Sequence, residues 1–398
     1  MASTSIPVSK EDRAFAIKFI LCLGVVSLFA DMTYEGAYSI IGPFLKDLGA
    51  TAAEVGIISG LGEMLAASLR LFSGRFADKT RAYWTIAISG YALNLLVVPA
   101  MAFAGSWKMA ALLVAVERTG KALRGPARDV LLSEATGKVG HGFGFGVHTA
   151  MDQTGAVAGP LLMAAVVAQT SNFGPGFLKL AFPAAGALLA LIAARAVYTR
   201  RDSPPPPRTP PQQNLPHVFW LYVIAAGLLA TGFVDFPLLA YHFQKTSVAK
   251  PAVIPLLYAG AMGVNGLTAL VLGRLFDRFG IRVLSLGILI SFLALPLGFL
   301  GGPNMAIAAV GCWAVGLGAQ DATLRSGIAQ VVSMNKRGSA FGAFNAVYGV
   351  MWFLGSALMG LMYDHSVVAL VAFGMTAQLI AAVMFAWLHR PLRAAAQV

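Results

Sequence analysis

Two acidic side chains stand inside the first long apolar run of this 398-residue chain. Asp31 and Glu35 are four residues apart, so in a helix they share one face. An ionisable group within a membrane span is costly unless it meets a cavity or a partner, which makes it a functional candidate. Because neighbouring carboxylates in a low dielectric do not readily ionise together, one is expected to hold a proton. The spacing predicts a proton-coupling site; the alternative is that Asp31 only pairs with a cation.

The fourth apolar run carries charges at helical spacing. One face of it would hold Glu117, Lys121, Arg124 and Arg128. Arg118 points about 100° away from that face. We expect Arg118 and Lys121 to be counter-ions of acidic side chains on other helices, namely Asp31, Glu35 and Glu63. For the charges nearest the end of the run we expect gate or lipid-headgroup contacts: Arg124, Arg128 and Asp129.

A histidine and an aspartate in the fifth run have the character of metal ligands. His148 and Asp152 are four residues apart and share a helix face. Neither a His-rich loop nor a cysteine ligand accompanies them, and the two cysteines lie in separate apolar runs. Divalent metal efflux is therefore an alternative function, and no cofactor is predicted. Asp152 also joins the candidate cavity charges, as does Asp235 in the second half of the chain.

The composition indicates which elements hold these charges. Hydrophobic residues make up 58% of the chain and charged residues 12%, whereas soluble domains have roughly 45–50% and about 25%. Runs long enough to cross a bilayer lie at about 14–44, 54–73, 83–104, 107–132, 142–168, 177–198, 217–243, 252–273, 283–302, 304–332, 339–362 and 367–389. They predict an all-α membrane protein with twelve transmembrane helices.

The twelve runs form two groups of six. A proline-rich segment, residues 199–216, is too polar to enter lipid and predicts a linker between an N-terminal bundle, 1–198, and a C-terminal bundle, 217–398. A short motif, Gly74-Arg75-Phe76-Ala77-Asp78-Lys79, returns 199 residues later as Gly273-Arg274-Leu275-Phe276-Asp277-Arg278. This repeat indicates an internal duplication, and hence two pseudo-symmetric six-helix bundles.

Lysine and arginine are distributed unevenly between the predicted loops. With the N-terminus inside, 18 of them fall on cytoplasmic segments and 5 on outside segments. The positive-inside rule then predicts that both termini and the linker are cytoplasmic, in the inner (cytoplasmic) membrane of a cell.

The segment from Gly74 to Arg81 resembles the loop signature of the major facilitator superfamily, and Gly273 to Arg282 resembles its degenerate second copy. The resemblance covers the whole chain and implies bundles that move about a midplane site. It implies that these loops hold one gate closed: Gly74 allows a tight turn, and Asp78 accepts hydrogen bonds from a helix N-terminus in the opposite half. Phosphates and carboxylates would bind Lys79 and Arg81. The matching residues of the second copy are Gly273, Asp277 and Arg278.

Two weaker resemblances concern direction and substrate. The stretch Gly155 to Gly159-Pro160 is similar to the start of a signature found in the family's antiporters, which favours export. Small residues at this spacing equally indicate close helix packing with a proline kink. The charged fourth run, together with His148 and Asp152, loosely resembles the nickel-resistance branch of the family.

The sequence therefore predicts a secondary transporter that exports a small organic molecule by proton antiport; substrate-proton symport is the alternative. Its partners would be the solute, protons and lipid, with the protein a monomer. The net charge of +12 does not indicate nucleic-acid binding, because the basic residues cluster between apolar runs. An enzyme is not expected, since the chain has neither His-Glu-x-x-His nor Gly-x-Ser-x-Gly. The lack of a Walker loop opposes an ATP-driven pump, and a channel needs no symmetric gate loops.

Overall fold

A computed structural model describes residues 10–198, 215–332 and 336–395, and these ranges are almost entirely helical. In chain order the helices are α1 (Lys10–Asp47), α2 (Ala52–Thr80), α3 (Tyr83–Ala100), α4 (Trp107–Thr136), α5 (His141–Thr170), α6 (Gly174–Lys179), α7 (Ala181–Val197), α8 (His217–Gly232), α9 (Phe236–Lys245), α10 (Val253–Phe279), α11 (Arg282–Ser291), α12 (Ala294–Phe299), α13 (Pro303–Val331), α14 (Arg337–His365) and α15 (Val367–Ala395). The predicted linker lies outside the described residues, except for Leu215 and Pro216 just before α8.

Three spans are interrupted, so the fifteen helices form twelve rods. The interrupted rods are α6 with α7, α8 with α9, and α11 with α12. Eleven rods in the described part of the chain are long and apolar enough to cross a membrane. The remaining rod, α4, is less apolar because charged side chains interrupt it, and it packs against α2 and α3. The prediction of an all-α membrane protein with twelve transmembrane helices is confirmed.

Successive rods run in opposite directions, which gives the molecule two chemically different ends. We call the end at which α1 begins and α2 and α10 terminate the basic end, because Arg81 and Arg278 lie there. The opposite end holds the turns after α1 and α9. We call residues 10–198 the first half and residues 215–395 the second half.

The repeated motif is helical, so the prediction that it forms a loop is wrong. Gly74, Asp78 and Lys79 lie within α2, and the residues from Gly273 to Arg278 lie within α10. A single glycine costs about 1 kcal/mol in a helix, which tertiary packing outweighs. The left-handed backbone that ends each helix comes later, at Arg81 (φ 54°) and Gly280 (φ 65°). Gly74 therefore makes no tight turn.

The acidic residue of the first motif contacts its own half. Tyr83 donates a hydrogen bond to Asp78 over 3.3 Å, while Asp277 is exposed near the end of α10. The idea that Asp78 holds the basic end closed applies to a state in which that end is shut, and it stays a prediction.

Apolar side chains from both halves seal the opposite end. They belong to one buried cluster that includes Ile41, Phe44, Phe236, Leu239 and Tyr363. Hydrogen bonds between the halves reinforce this seal. Asp364, near the end of α14, accepts from the backbone N–H of Ala53 (2.9 Å) and of Ala52 (3.4 Å) at the start of α2. Gln244 donates to Asp47 over 2.8 Å.

The contact of Asp364 with α2 is a helix cap supplied across the two halves. A carboxylate at a helix N-terminus satisfies free N–H groups and complements the helix dipole. Such a cap is worth about 1 kcal/mol. It therefore favours the conformation in which the opposite end is closed.

We predict that Asp364→Ala opens the opposite end more often, by about fivefold, because about 1 kcal/mol of capping is lost. The reporter is Ser59→Cys in a cysteine-free background, since Ser59 is buried in α2 on this side of the protein. Maleimide labelling of this cysteine should become correspondingly faster. Glu54→Gln is the matched control, because Glu54 accepts from Thr51 within its own half. Equal labelling of the Asp364→Ala protein and its parent would contradict the cap.

Candidate functional site

A cavity of about 1100 Å³ lies between the two halves, on the basic-end side of the seal. Its wall is built from α2, α5, α10, α13 and α14, with Tyr34 of α1 contributing at its deep end. Aromatic and amide groups line it alongside five charged side chains. The charged ones are Glu63, Arg70, Asp152, Asp321 and Arg325. A wall of this kind suits a solute with both apolar and polar parts.

Arg118 is the centre of a buried ion-pair cluster beside this cavity. Its guanidinium lies 3.2 Å from Glu63 and 3.3 Å from Glu117, and it stacks 4.9 Å from the ring centre of Tyr38. Asn94 donates to Glu117 over 2.6 Å. Of the three acids expected from sequence as partners of Arg118, the structure places Glu63 against it. Glu117 is a second partner, although the helical spacing predicts that it lies on a different face of α4 from Arg118.

The next cations of α4 contact tyrosine rings. The Lys121 ammonium lies 3.9 Å from the ring centre of Tyr34, and Arg124 lies 5.3 Å from Tyr34 and 4.6 Å from Tyr91. Lys121 therefore does not form the direct ion pair with Asp31 or Glu35 that we expect from sequence. It interacts with both carboxylates electrostatically over a longer distance. Ring faces can hold a desolvated cation, which explains the difference.

Two more charges of α4 have different surroundings. Arg124 is 3% exposed, so the expectation of a lipid-headgroup contact is wrong for it, whereas a gate contact stays a prediction. Arg128 pairs with the neighbouring Asp129 at 2.9 Å and approaches Ser27 at 3.5 Å. Arg124 is buried because the helix turns it toward α1 and α3, a rotation that the linear spacing does not fix.

Two glycines let α5 touch the backbone of α1. A Cβ on Gly155 or Gly159 would collide with the carbonyl oxygens of Leu28 and Met32, respectively. The small residues between Gly155 and Pro160 therefore form a surface on which α5 packs closely against α1. Close packing is one of the two interpretations of this stretch; the other is an antiporter signature. This close approach brings the α5 side chain Asp152 to the α1 side chain Asp31.

Asp31 is buried, at 7% exposure, and no hydrogen bond or ion pair joins it to another described residue. The charged side chains around it are Asp152, Arg124, Glu35 and Lys121. The sequence pairs Asp31 with Glu35, and the structure adds Asp152 as a second acidic neighbour. The acidic group around Asp31 thus includes Asp152 from α5, which the spacing of residues in α1 cannot predict.

Glu35 faces the second half of the molecule. Tyr258 of α10 donates to its carboxylate over 2.6 Å, which places a hydrogen bond between the halves next to the cavity. Asp235 lies deeper, buried at the break between α8 and α9, where Trp352 (2.6 Å) and Ser356 donate to it. Glu35 therefore accepts from a hydroxyl of the other half, whereas Asp235 accepts from an indole and a hydroxyl of its own half.

The break in this rod exposes backbone groups that side chains then satisfy. Trp313 donates to the Val234 carbonyl (2.9 Å) and Gln378 to that of Gly232 (3.0 Å). The sequence signal for the break is Pro237, which follows Asp235 within an apolar run. Serine, tyrosine and glutamine partners such as Ser356, Tyr258 and Gln378 carry no comparable signal, because nothing in their spacing distinguishes them.

His148 is held by protein groups on both sides of its ring. Its Nε2 lies 2.9 Å from the Ser27 hydroxyl and its Nδ1 lies 3.5 Å from Asp152. Within residues 10–198, 215–332 and 336–395, no group of three or more His, Cys, Asp or Glu side chains converges. His148 and Asp152 are therefore two potential metal ligands without a third among the described residues, and together with Ser27 they form a chain of polar contacts.

We predict that Arg118→Gln destabilises the protein by about 3–5 kcal/mol, since it leaves buried acids without their cation. Thermal unfolding of the purified protein measures the loss. Adding Glu63→Gln should recover part of it, so the double-mutant cycle reports coupling. The matched control is Lys121→Gln, which removes a cation held on a tyrosine ring and should cost less. Additive effects of the Arg118 and Glu63 changes would contradict the cluster.

Comparisons with known proteins were made on both sequence and structure. The family profile of the Major Facilitator Superfamily matches residues 21–356. An uncharacterised protein of Mycobacterium tuberculosis is 39% identical over 389 residues, which covers 94% of each chain. An uncharacterised transporter of the same superfamily from Methanocaldococcus jannaschii is 21% identical over 373 residues, covering 90% of this chain and 91% of its own.

Solved structures share the fold. A mutant of the nucleoside transporter NupG superposes with a TM-score of 0.71 at 15% identity, over 95% of this chain and 99% of its own. A bacterial homologue of the iron transporter ferroportin, in an inward-facing state, gives 0.68 at 12% identity, over 94% and 99%. At these identities the likeness concerns the fold alone. With its family profile and twelve-rod architecture, the chain belongs to the Major Facilitator Superfamily.

Proposed function

We propose that this protein is a proton-coupled antiporter that exports a small organic solute through the cavity between its halves. Membership of the superfamily supports transport of a small solute across a membrane. The observation that carries the proton coupling is the state of Asp31: a buried carboxyl without a hydrogen-bond or ion-pair partner among the described residues, next to Asp152 and two cations.

The surroundings of Asp31 suit a group that changes its protonation during transport. The carboxyl is buried, and charges of both signs surround it: Asp152 on one side and the cations Arg124 and Lys121 on the other. Small movements of α1 against α4 or α5 change this balance. Asp152 lines the cavity and neighbours Asp31, so a proton would reach Asp31 from the aqueous space by way of the Asp152 carboxyl.

Alternating access would come from rocking of the two halves about the seal. The cavity lies toward the basic end, and the positive-inside rule assigns that end to the cytoplasm. With this orientation the structure corresponds to an inward-facing state, with both termini in the cytoplasm and the protein in the inner membrane. One copy of the chain holds the whole cavity, so we propose that it works as a monomer.

The export direction rests on the resemblance of Gly155 to Pro160 to an antiporter signature. Symport, in which solute and proton move together, is the alternative, and the sign of proton movement separates them. Metal efflux is not included, since the ligand set around His148 stops at two metal-binding side chains in the described part of the chain.

We predict that Asp31→Asn abolishes solute-driven proton movement while exchange of solute persists, because exchange at equal concentrations moves no net proton. Proteoliposomes loaded with a pH-sensitive dye measure proton movement on addition of a solute panel, and radiolabelled exchange is followed in the same preparation. Asp152→Asn should behave alike if the two carboxyls share the proton. Glu11→Gln, an exposed change on the same helix, is the control.

Glu35 needs a separate comparison, since its carboxylate also contacts the second half. Glu35→Gln should lose proton coupling, and Tyr258→Phe, which removes only the hydrogen bond between halves, should retain it. Normal proton movement in both the Asp31→Asn and Glu35→Gln proteins would overturn the assignment. Proton movement in the same direction as the solute would establish symport instead.

The orientation gives a further prediction. Cysteines introduced as Ser203→Cys, in the linker, and Ser247→Cys, in the turn after α9, should label from opposite faces of the membrane. An impermeant maleimide applied to intact cells should reach only Ser247→Cys, and inverted vesicles should give the reverse. Labelling of both positions from one face would contradict the assignment of the basic end to the cytoplasm.

A further inference from the structure

Two arginines from opposite halves line the cavity nearer the basic end. Arg70 belongs to α2 and lies against α4, where a Cβ on Gly125 would be 3.7 Å from its Nε. Arg325 belongs to α13 and is exposed to the cavity. The charge of Arg325 acts on Arg70 with the same sign. Both arginines therefore line the space that must narrow when this end closes.

Among the described residues the acids of the cavity wall have hydrogen-bond or ion-pair partners, whereas the two guanidiniums have none. Glu63 pairs with Arg118 (3.2 Å) and Asp152 with His148 (3.5 Å), while Asp321, one helical turn before Arg325 on α13, accepts from Asn265 (3.1 Å). Within the same residues no side-chain hydrogen bond or ion pair joins Arg70 or Arg325 to a neighbour, and the Nε of Arg70 is a buried donor without an acceptor. A buried donor of this kind is costly to leave unpaired.

Around Arg70 itself the neighbouring charges are mostly positive. Arg124 and Arg128 act on it with the same sign as Arg325, and Asp129 opposes them. Asp129 is itself paired with Arg128 at 2.9 Å. A positive potential within a low-dielectric wall attracts an anion, and guanidinium groups bind carboxylates and phosphates through paired N–H donors.

We infer that the transported solute is an organic anion whose carboxylate, phosphate or sulfonate group binds between Arg70 and Arg325. This inference rests on the proposed function only in taking the cavity as the transport path. The bound anion removes the repulsion between the two guanidiniums and so allows the basic end to close around it. Aromatic residues of the wall, including Tyr348, Phe344 and Trp352, would contact the apolar part of the solute.

Accessibility of a cavity cysteine tests the inference without any proton gradient. The reporter is Thr149→Cys in a cysteine-free background, since Thr149 is an exposed residue of the cavity wall. The purified protein is placed in phosphatidylcholine nanodiscs and labelled with an impermeant maleimide. The probes are 2-naphthyl phosphate and 2-naphthoate, with 2-naphthol as the matched neutral compound.

We expect the two anions, and not 2-naphthol, to slow labelling. Arg70→Gln and Arg325→Gln should raise the concentration needed for half-protection at least about tenfold, which corresponds to a loss of about 1.4 kcal/mol. Arg195→Gln, an exposed cation of α7 outside the cavity, should match the parent protein. Protection that is equal in all four proteins, or equal for the neutral compound, would overturn the inference.

Charge reversal provides a measurement that needs no probe. Arg325→Glu would pair with Arg70 and close the basic end in the absence of any anion. Labelling of Thr149→Cys should then fall about tenfold, while labelling of Ser59→Cys at the opposite end should rise. Labelling rates that match the parent at both positions would show that the two residues do not meet, and the inference would fail.

A lipid headgroup contains the same phosphate group, so lipid binding is tested in a separate experiment. The labelling is repeated with phosphatidylglycerol in the nanodiscs and no added probe. If phosphatidylglycerol protects and the soluble anions do not, the site binds lipid and the assignment to the solute is wrong. Because no transport or pH gradient enters these measurements, a failure here is separate from a failure of proton coupling.

Discussion

Charge buried between helices must be balanced by neighbouring side chains, because the surrounding hydrocarbon provides neither water nor counter-ions. In the first half this requirement organises the structure. Arg118 holds Glu63 and Glu117 together, and tyrosine rings support Lys121 and Arg124. Among the described residues, Asp31 has no direct partner and the Nε of Arg70 has no acceptor. These two exceptions define the positions at which a proton and an anion would complete the balance.

The halves share an architecture but divide the chemistry between them. The second half supplies neutral donors and a broken rod: Trp352 and Ser356 bind Asp235, and Trp313 and Gln378 satisfy the backbone at the break. Discontinuous helices near the middle of a membrane are a common way to place polar groups at a transport site. The hydrogen bond from Tyr258 to Glu35 links this half to the charged one beside the cavity. A change at Glu35 would therefore act on the contact between halves.

The contacts that close the opposite end and the charge repulsion at the basic end favour the same conformation. The cap of Asp364 on α2 and the apolar cluster stabilise contact between halves at one end. Arg70 and Arg325 oppose contact at the other end. The conformation with its cavity toward the basic end follows from both. A solute that neutralises the arginines changes only the second contribution, so ligand binding can shift the equilibrium without altering the seal.

The twelve spans follow from the sequence, because hydropathy depends only on the chain itself. The repeated motif, however, is helical to its end, and Gly74 makes no turn, since packing decides where a helix stops. That Asp152 joins Glu35 as an acidic neighbour of Asp31 depends on Gly155 and Gly159, which let α5 pack directly against α1. Helix rotation and interhelical distance decide such contacts, and a single helix's periodicity does not encode them. Only the tertiary structure therefore brings Arg70 and Arg325, 255 positions apart, to one cavity.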